Sequence, residues 1–287
     1  DGEWEHERFS WRSFNTALQG PSLFFDIDGD GITDILGFTT DSDLVLASWT
    51  MNILDTGEGE LQLGGRTENG DLGDNAVPYG LVQCNGLVWS LTEGTSGTVL
   101  NRYSLSTGVP VIDATTETSG TLLACGLLPS GEQGVVVVAQ QTGFWRSYGV
   151  GLTPKADGEV GAVGAIALAD TDGNGAGEVV FCPDTGCSVV AIDPDEDGVD
   201  AVVRSDGTTS TITLNGEERV LAGGGLLSLG DVDLDGVLDV LAWSPDLQRG
   251  ALWLTSGGTL APARGVQNDR PLSSPMSVGD MTGDGVL

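Results

Sequence analysis

The feature that most constrains this chain is a nine-residue acidic loop that recurs between short apolar segments. Residues 227–243 read LSLGDVDLDGVLDVLAW, which places Asp231, Asp233, Asp235 and Asp239 inside nine positions. Asp26, Asp28, Asp30 and Asp34 stand in the same frame after SLFF and before ILGF. Asp170, Asp172, Asn174 and Glu178 follow AIALA and precede VVF, and Asp280, Thr282 and Asp284 follow MSV close to the last residue, Leu287. The sixth loop position is glycine every time, at Gly31, Gly175, Gly236 and Gly285. Apolar runs of four or five residues broken at such loops suit strands and are too short for helices.

The loop glycines also give a period. The gap from Gly31 to Gly175 is 144 residues, and the two that follow are 61 and 49. Two worn copies without carboxylates therefore belong in the first gap, and YGLVQCNGLVWSL and LLACGLLPSGEQGVVVV supply them with Gly86 and Gly134. The spacings become 55, 48, 41, 61 and 49 residues. Trp49, Tyr103 and Trp253 lie 17 or 18 residues beyond their loop glycines. An aromatic held at one repeat position packs between units or, in the other reading, offers an exposed platform for sugar stacking. Helical periodicity is missing, and the 45 glycines fall at the breaks between Val/Leu/Ile/Thr/Trp segments. A period of 40 to 60 residues with room for four short strands predicts an all-β protein, a β-propeller of four-stranded antiparallel blades, about six to seven in number. The predicted units are 21–70, 71–118, 119–160, 161–220 with an insertion, 221–270, and a partial one at 271–287. Residues 1–20 are expected to add a strand, with closure of the ring as its role. A helical repeat is the alternative architecture.

Carboxylates at loop positions 1, 3, 5 and 9 repel one another unless a cation lies among them. Calcium takes six to eight oxygen ligands, and a position-7 carbonyl with a position-6 glycine completes such a loop. The expected ligands are Asp26, Asp28, Asp30 and Asp34 with the Ile32 carbonyl, and Asp231, Asp233, Asp235 and Asp239 with that of Val237. Asp170, Asp172, Asn174 and Glu178 form the third set, with the Ala176 carbonyl. Asp280, Thr282 and Asp284 form the fourth, with the Val286 carbonyl. About three to four calcium ions are expected, magnesium being disfavoured by its tight octahedral demand. The stretch IDPDEDGVDAVV offers Asp193, Asp195, Asp197 and Asp200, but its last acid comes one residue early. It is read as a solvated acidic hairpin, with a metal site as the alternative.

This pattern, Asp-x-Asp-x-Asp-Gly-x-x-Asp before an apolar strand at intervals of about fifty residues, resembles the FG-GAP/VCBS repeat. The resemblance runs from Pro21 onward. It implies the integrin-α-type β-propeller, also found in secreted bacterial proteins, in which the loop joins the first and second strands of a blade and binds calcium structurally. The second and third units depart from the motif, and no metal is expected there.

The formal net charge of −31 excludes nucleic acid and anionic membrane as natural partners. A halophile's solvating surface would also be acidic, but it would not gather the acids into clusters. No apolar run is long enough to span a membrane. Cys182 and Cys187 flank a Pro-Asp-Thr-Gly turn and are expected to pair across a hairpin, as are Cys84 and Cys125 with less to argue from. His6 is the only histidine, so histidine-dependent nucleophilic catalysis has little support, and the clustered carboxylates are spaced as metal ligands and not as a glycosidase pair. The chain stops inside its last acidic loop, so it is expected to be a segment of a longer polypeptide.

The function predicted is a non-enzymatic, extracellular or cell-surface calcium-binding adhesion or scaffold module. Its partners would be protein or glycan ligands, or further copies of itself. A carbohydrate-binding or polysaccharide-degrading propeller and a subunit of a surface filament are the alternatives. Asp206 lies outside every loop, and its removal is expected to do little.

Overall fold

The computed structural model describes residues 18–26, 34–39, 44–53, 59–68, 78–105, 111–183, 186–195, 197–214, 216–221, 223–232, 237–244, 249–256 and 259–267. These residues form strands and turns, with no helix among them. The first sheet is β1 (Leu18–Phe25), β2 (Asp34–Thr39), β3 (Leu44–Ile53) and β4 (Gly59–Glu68). The second is β5 (Pro78–Cys84), β6 (Leu87–Glu93), β7 (Thr98–Ser104) and β8 (Val111–Thr118). The third is β9 (Leu122–Leu127), β10 (Gln133–Ala139), β11 (Phe144–Gly149) and β12 (Pro154–Glu159). Among the described residues the fourth holds β13 (Ala165–Ala169) and β14 (Glu178–Cys182). The fifth is β15 (Ser188–Ile192), β16 (Ala201–Ser205), β17 (Ser210–Leu214) and β18 (Glu217–Leu221). The sixth is β19 (Leu226–Gly230), β20 (Asp239–Ser244), β21 (Arg249–Ser256) and β22 (Thr259–Gln267).

Every sheet is an antiparallel meander in chain order, and the first strands β1, β5, β9, β13, β15 and β19 lie side by side in that succession. The sheets are the blades of a β-propeller.

The second strand of a blade shows why blades must stack. In β10, GVVVVA is apolar at every position, so strand alternation sends valines to both faces. Val135 and Val137 pack with Trp89, Leu91 and Leu100 of the second blade, while Val136 and Val138 pack with Val163 and Leu168 on the fourth side. One apolar cluster fills each described gap between successive blades, from Leu36, Phe38, Leu81 and Val88 at the first to Ala201, Val203, Val240, Ala242 and Trp253 at the last. A sheet buried on both faces has no stable existence alone.

The stretch 161–220, read from sequence as one unit with an insertion, holds most of two blades: the two-stranded β13–β14 and the four-stranded β15–β18. A two-stranded blade is too short to register in a count of periods. Residues 18–20 of the N-terminal stretch begin β1, the innermost strand of the first blade. Residues 1–17 and the partial unit at 271–287 lie outside the described residues.

The repeated aromatic has a structural partner that the sequence did not show. The pairing of the third and fourth strands is broken by a bulge between Ser48 and Trp49, between Arg102 and Tyr103, between Ser147 and Tyr148, and between Leu252 and Trp253. Tyr103, Tyr148 and Trp253 are buried between blades, so they are packing residues and not an exposed sugar platform. Tyr148 is out of register when counted from Gly134, the glycine that the sequence period points to. Gly134 in fact lies inside β10, paired with Gly126 and Gly149, where a Cβ would meet the Tyr148 carbonyl at 2.2 Å. The turn glycine is Gly131, with φ of 75°, and Tyr148 lies 17 residues beyond it, in register with the others. The extra residue of each bulge falls on the outer strand, where it twists a free edge away from foreign strands. Two of these residues carry ion pairs: Asp113 to Arg102 at 2.7 Å and Lys155 to Glu132 at 2.8 Å.

Tyr103 is fully buried with its hydroxyl 3.0 Å from Ser90 Oγ, and burial pushes its pKa up to about 12. An acid with a raised folded-state pKa keeps its proton where the unfolded chain has lost it. Stability is therefore expected to fall as pH rises from the ordinary tyrosine value near 10 towards about 12, by about 2–3 kcal/mol for this one group. Alkaline denaturation of the wild type and Tyr103→Phe checks this, the variant losing less stability across that interval.

Candidate metal centre

The acidic loop between β13 and β14 is described throughout. The Ala169–Glu178 pair closes it at the base. Asp170 is buried at 6% exposure, and its two carboxylate oxygens accept from Asn174 N at 3.1 Å and Gly175 N at 2.8 Å. Short acidic side chains that take local backbone N–H groups wrap a chain in this way. Asp172 Oδ1 also accepts from Asn174 N at 3.2 Å, and Asn174 Oδ1 accepts from Ala176 N at 2.8 Å. Glu178 Oε2 accepts from Thr171 N at 2.9 Å and from the Thr171 hydroxyl at 2.7 Å. The left-handed turns fall on glycines, Gly173 at φ 69° and Gly175 at φ 79°.

Asp170, Asp172 and Glu178 bring carboxylate oxygens within 4.8 Å of one another, a set that can hold a metal ion. Three like charges at that separation, with oxygen-only donors and one of them buried, suit a hard cation. Asn174 and Ala176 lie on the same loop, as the sequence placed them.

The Asp193 loop is the exposed acidic hairpin expected from sequence, and its carboxylates also meet the geometry of the alternative, a metal site. It joins β15 to β16, the first and second strands of its blade, as the Asp170 loop joins β13 to β14. Asp193 accepts from Asp197 N at 3.2 Å and Gly198 N at 2.9 Å, and Asp197 Oδ1 accepts from Val199 N at 2.8 Å. The bonds made by the first and fifth residues of the Asp170 loop recur here, with Gly198 at φ 86° in sixth place. Asp193, Asp195 and Asp197 form a second carboxylate set that can hold a metal ion. The acid that seemed one residue early has another task. Asp200 Oδ2 accepts from Asp170 N at 2.6 Å, and Asp200 N donates to Asp170 O at 2.7 Å, so the two loops are tied together. Burial raises the Asp200 pKa, and the charges of Asp193, Asp170 and Glu178 raise it further, against the lowering effect of the Asp170 backbone N–H.

The Asp26 and Asp231 loops take the same place, between β1 and β2 and between β19 and β20. Asp26 is exposed just beyond β1, and Asp34 opens β2 opposite Phe25. Asp231 and Val237 are half-buried at the two ends of their loop. Asp239 is fully buried, accepting from Val232 N at 2.7 Å and from Thr255 N of the third strand at 2.7 Å. Asp239 thus bonds the second loop residue as Glu178 does, which anchors the loop to its blade. The predicted ligands Asp28, Asp30, Ile32, Asp233, Asp235, Asp280, Thr282, Asp284 and Val286 lie outside the described residues.

The two worn copies carry plain turns. Asn85 and Gly86, at φ 51° and 71°, link β5 and β6 in the two-residue form that suits twisted strands. Residues 128–132 link β9 and β10 through a Leu128 N to Glu132 O bond of 2.8 Å.

Two disulfides lie close to this inner region, and both join neighbouring blades. Cys84 on β5 bonds Cys125 on β9, with Cα atoms 6.3 Å apart. Cys182 at the end of β14 bonds Cys187 just before β15, at 6.2 Å. The second pair was expected across a hairpin, but β14 and β15 belong to different sheets.

No protein-family model matches this chain, and no curated protein matches it. Likeness to one solved structure with a TM-score above 0.5 agrees with the propeller fold. The structure titled as BBS1N in complex with ARL6DN is 12% identical with a TM-score of 0.56, over 90% of this chain and 84% of that one. The AfRom2 CNH domain is 11% identical with a TM-score of 0.48, covering 88% of each chain. The V. cholerae biofilm matrix protein Bap1 is 17% identical with a TM-score of 0.36, over 91% of this chain and 41% of that one. At these identities the likeness concerns the fold.

Proposed function

We propose that this chain is a non-enzymatic, calcium-stabilised propeller of the FG-GAP/VCBS type that serves outside the cell as an adhesion or scaffold module. One observation carries the reading. Acidic loops with the same hydrogen-bond wrap recur at the same first-to-second-strand turn in adjacent blades, each with three carboxylates gathered within 4.8 Å. A catalytic site is built once, whereas a structural site is repeated with the unit that needs it. When bound, calcium would neutralise these carboxylates and hold the first two strands of a blade in register. Asp170, Asp172 and Glu178 would hold one ion and Asp193, Asp195 and Asp197 another, while the Asp26, Asp231 and Asp280 loops supply further sites. The disulfides support an oxidising location, and extracellular loops of this kind work at calcium Kd of about 10⁻⁴–10⁻³ M. The propeller in the BBS1N structure was solved with a protein partner, which supports a protein-binding surface for this fold.

The test sets the full chain on a surface and challenges it with a glycan array, with polysaccharide substrates and with protein-coated beads, with and without calcium. Calcium-dependent retention of protein-coated beads without turnover of any polysaccharide is the expected result. Release of reducing sugars or unsaturated products would overturn the reading in favour of an enzyme.

A further inference from the structure

We propose that the two-stranded blade is an acceptor for a guest strand: an extended segment of a partner protein, alternately apolar and polar, pairs with the outer edge of β14.

Among the described residues the other five sheets have four strands, and this one stops at β14. Among the described residues, the outer edge of β14 between Glu178 and Cys182 makes no main-chain hydrogen bond; the Cys182 carbonyl bonds Gly164 on the β13 side. The chain protects its other edges. β8 and β12 carry charged bulge residues, β12 and β22 carry proline, and β18 reads EERVL. β14 reads EVVFC, without proline, bulge or any charge past its first residue. An apolar edge left without such protection is a template for another strand.

The flanking blades define what fits. On one side, Trp145 of β11 lies against Gly158, where a Cβ would meet the indole nitrogen at 2.7 Å, and both share a face with the cluster holding Val179 and Phe181. On the other side, Thr211 and Thr213 pair with Arg204 and Val202, and Val202 packs against the β14 side of the neighbouring cluster. A third strand would thus meet an indole on one face and hydroxyls on the other, which selects alternation of apolar and polar side chains. Two absent strands also set the edge back by about 10 Å. The β14 edge of a second copy is equally recessed and cannot reach it. Only a single extended segment enters, and the net charge of −31 favours one that is neutral or basic.

The test measures hydrogen exchange of the full chain with a synthetic octapeptide of alternating valine and threonine, lysine-tagged for solubility. The expected result is slowing of the outward-facing amides of Val179 and Phe181 by about tenfold or more. The same peptide with alternate main-chain nitrogens methylated should give no slowing, and Thr213→Lys, which fills the slot, should abolish it without lowering the melting temperature. The proposal is overturned if neither peptide slows these amides, or if the methylated one works equally well. It is also overturned if the free chain already protects the β14 edge as fully as β13, which would mean that a segment of the same chain covers it.

Discussion

A chelator added at fixed ionic strength lowers the melting temperature of this protein by about 10 °C or more, and added calcium restores it. The Asp170 and Asp193 loops each bring three carboxylates within 4.8 Å, and Asp200 ties one loop to the other. Empty, the two sets repel across a short distance; filled, each ion stabilises only the folded chain. A site held at a hundred times its dissociation constant adds about 2.7 kcal/mol. Two sites filled together then shift the midpoint of a chain this size by about 10 °C. Asp172→Ala, which removes an exposed ligand with little packing of its own, should reproduce part of the loss and make the melt less sensitive to chelator. The control should be Glu159→Ala, on the exposed outer strand β12. Asp206 is no longer suitable. It accepts from Thr209 N, Thr208 N and the Thr208 hydroxyl, all at 2.8 Å, and so holds the β16–β17 turn. Those bonds, the Thr209 N–H first among them, lower its pKa, so its contribution is present at neutral pH and lost as pH falls through the lowered value.

The second large effect is expected from the disulfides. Both bonds cross from one blade to the next, the first between the innermost strands β5 and β9 and the second from the end of β14 to the residue before β15, so they tie blades together and not the strands of one hairpin. Cys84–Cys125 closes a separation of 41 residues, and loss of that cross-link should cost about 4 kcal/mol on the chain-entropy account. Cys182–Cys187 closes a separation of 5 and should cost about 2 kcal/mol. Chemical denaturation of Cys84→Ser/Cys125→Ser and Cys182→Ser/Cys187→Ser double variants measures each. The ordering matters most: if the short-loop variant proves the more damaging, the second bond is stabilising the β14–β15 passage by packing and not by chain entropy.

The propeller was legible because its second strands are apolar at nearly every position and its first turns carry chemistry. The ligand loops announced themselves through carboxylates at alternate positions with a glycine in sixth place. Three things were hidden, each for a physical reason. The two-stranded blade breaks the period without leaving a compositional mark. The Asp193 loop has its last acid at position 8, because Asp200 bonds the neighbouring loop, a contact 30 residues away that no local pattern reports. The register of Tyr148 is hidden because Gly131 and Gly134 stand three residues apart, and only the first lies in the turn. The cysteine pairs were found correctly, while the elements they join became clear only in three dimensions.

The central claim, that these loops are calcium sites built into a propeller, is tested most directly by counting calcium per folded chain by native mass spectrometry of protein equilibrated at millimolar calcium. The account predicts at least two bound ions, with one lost in Asp172→Ala and a different one lost in Asp195→Ala. A chain that retains no calcium, or whose calcium content is unchanged in both variants, would contradict it.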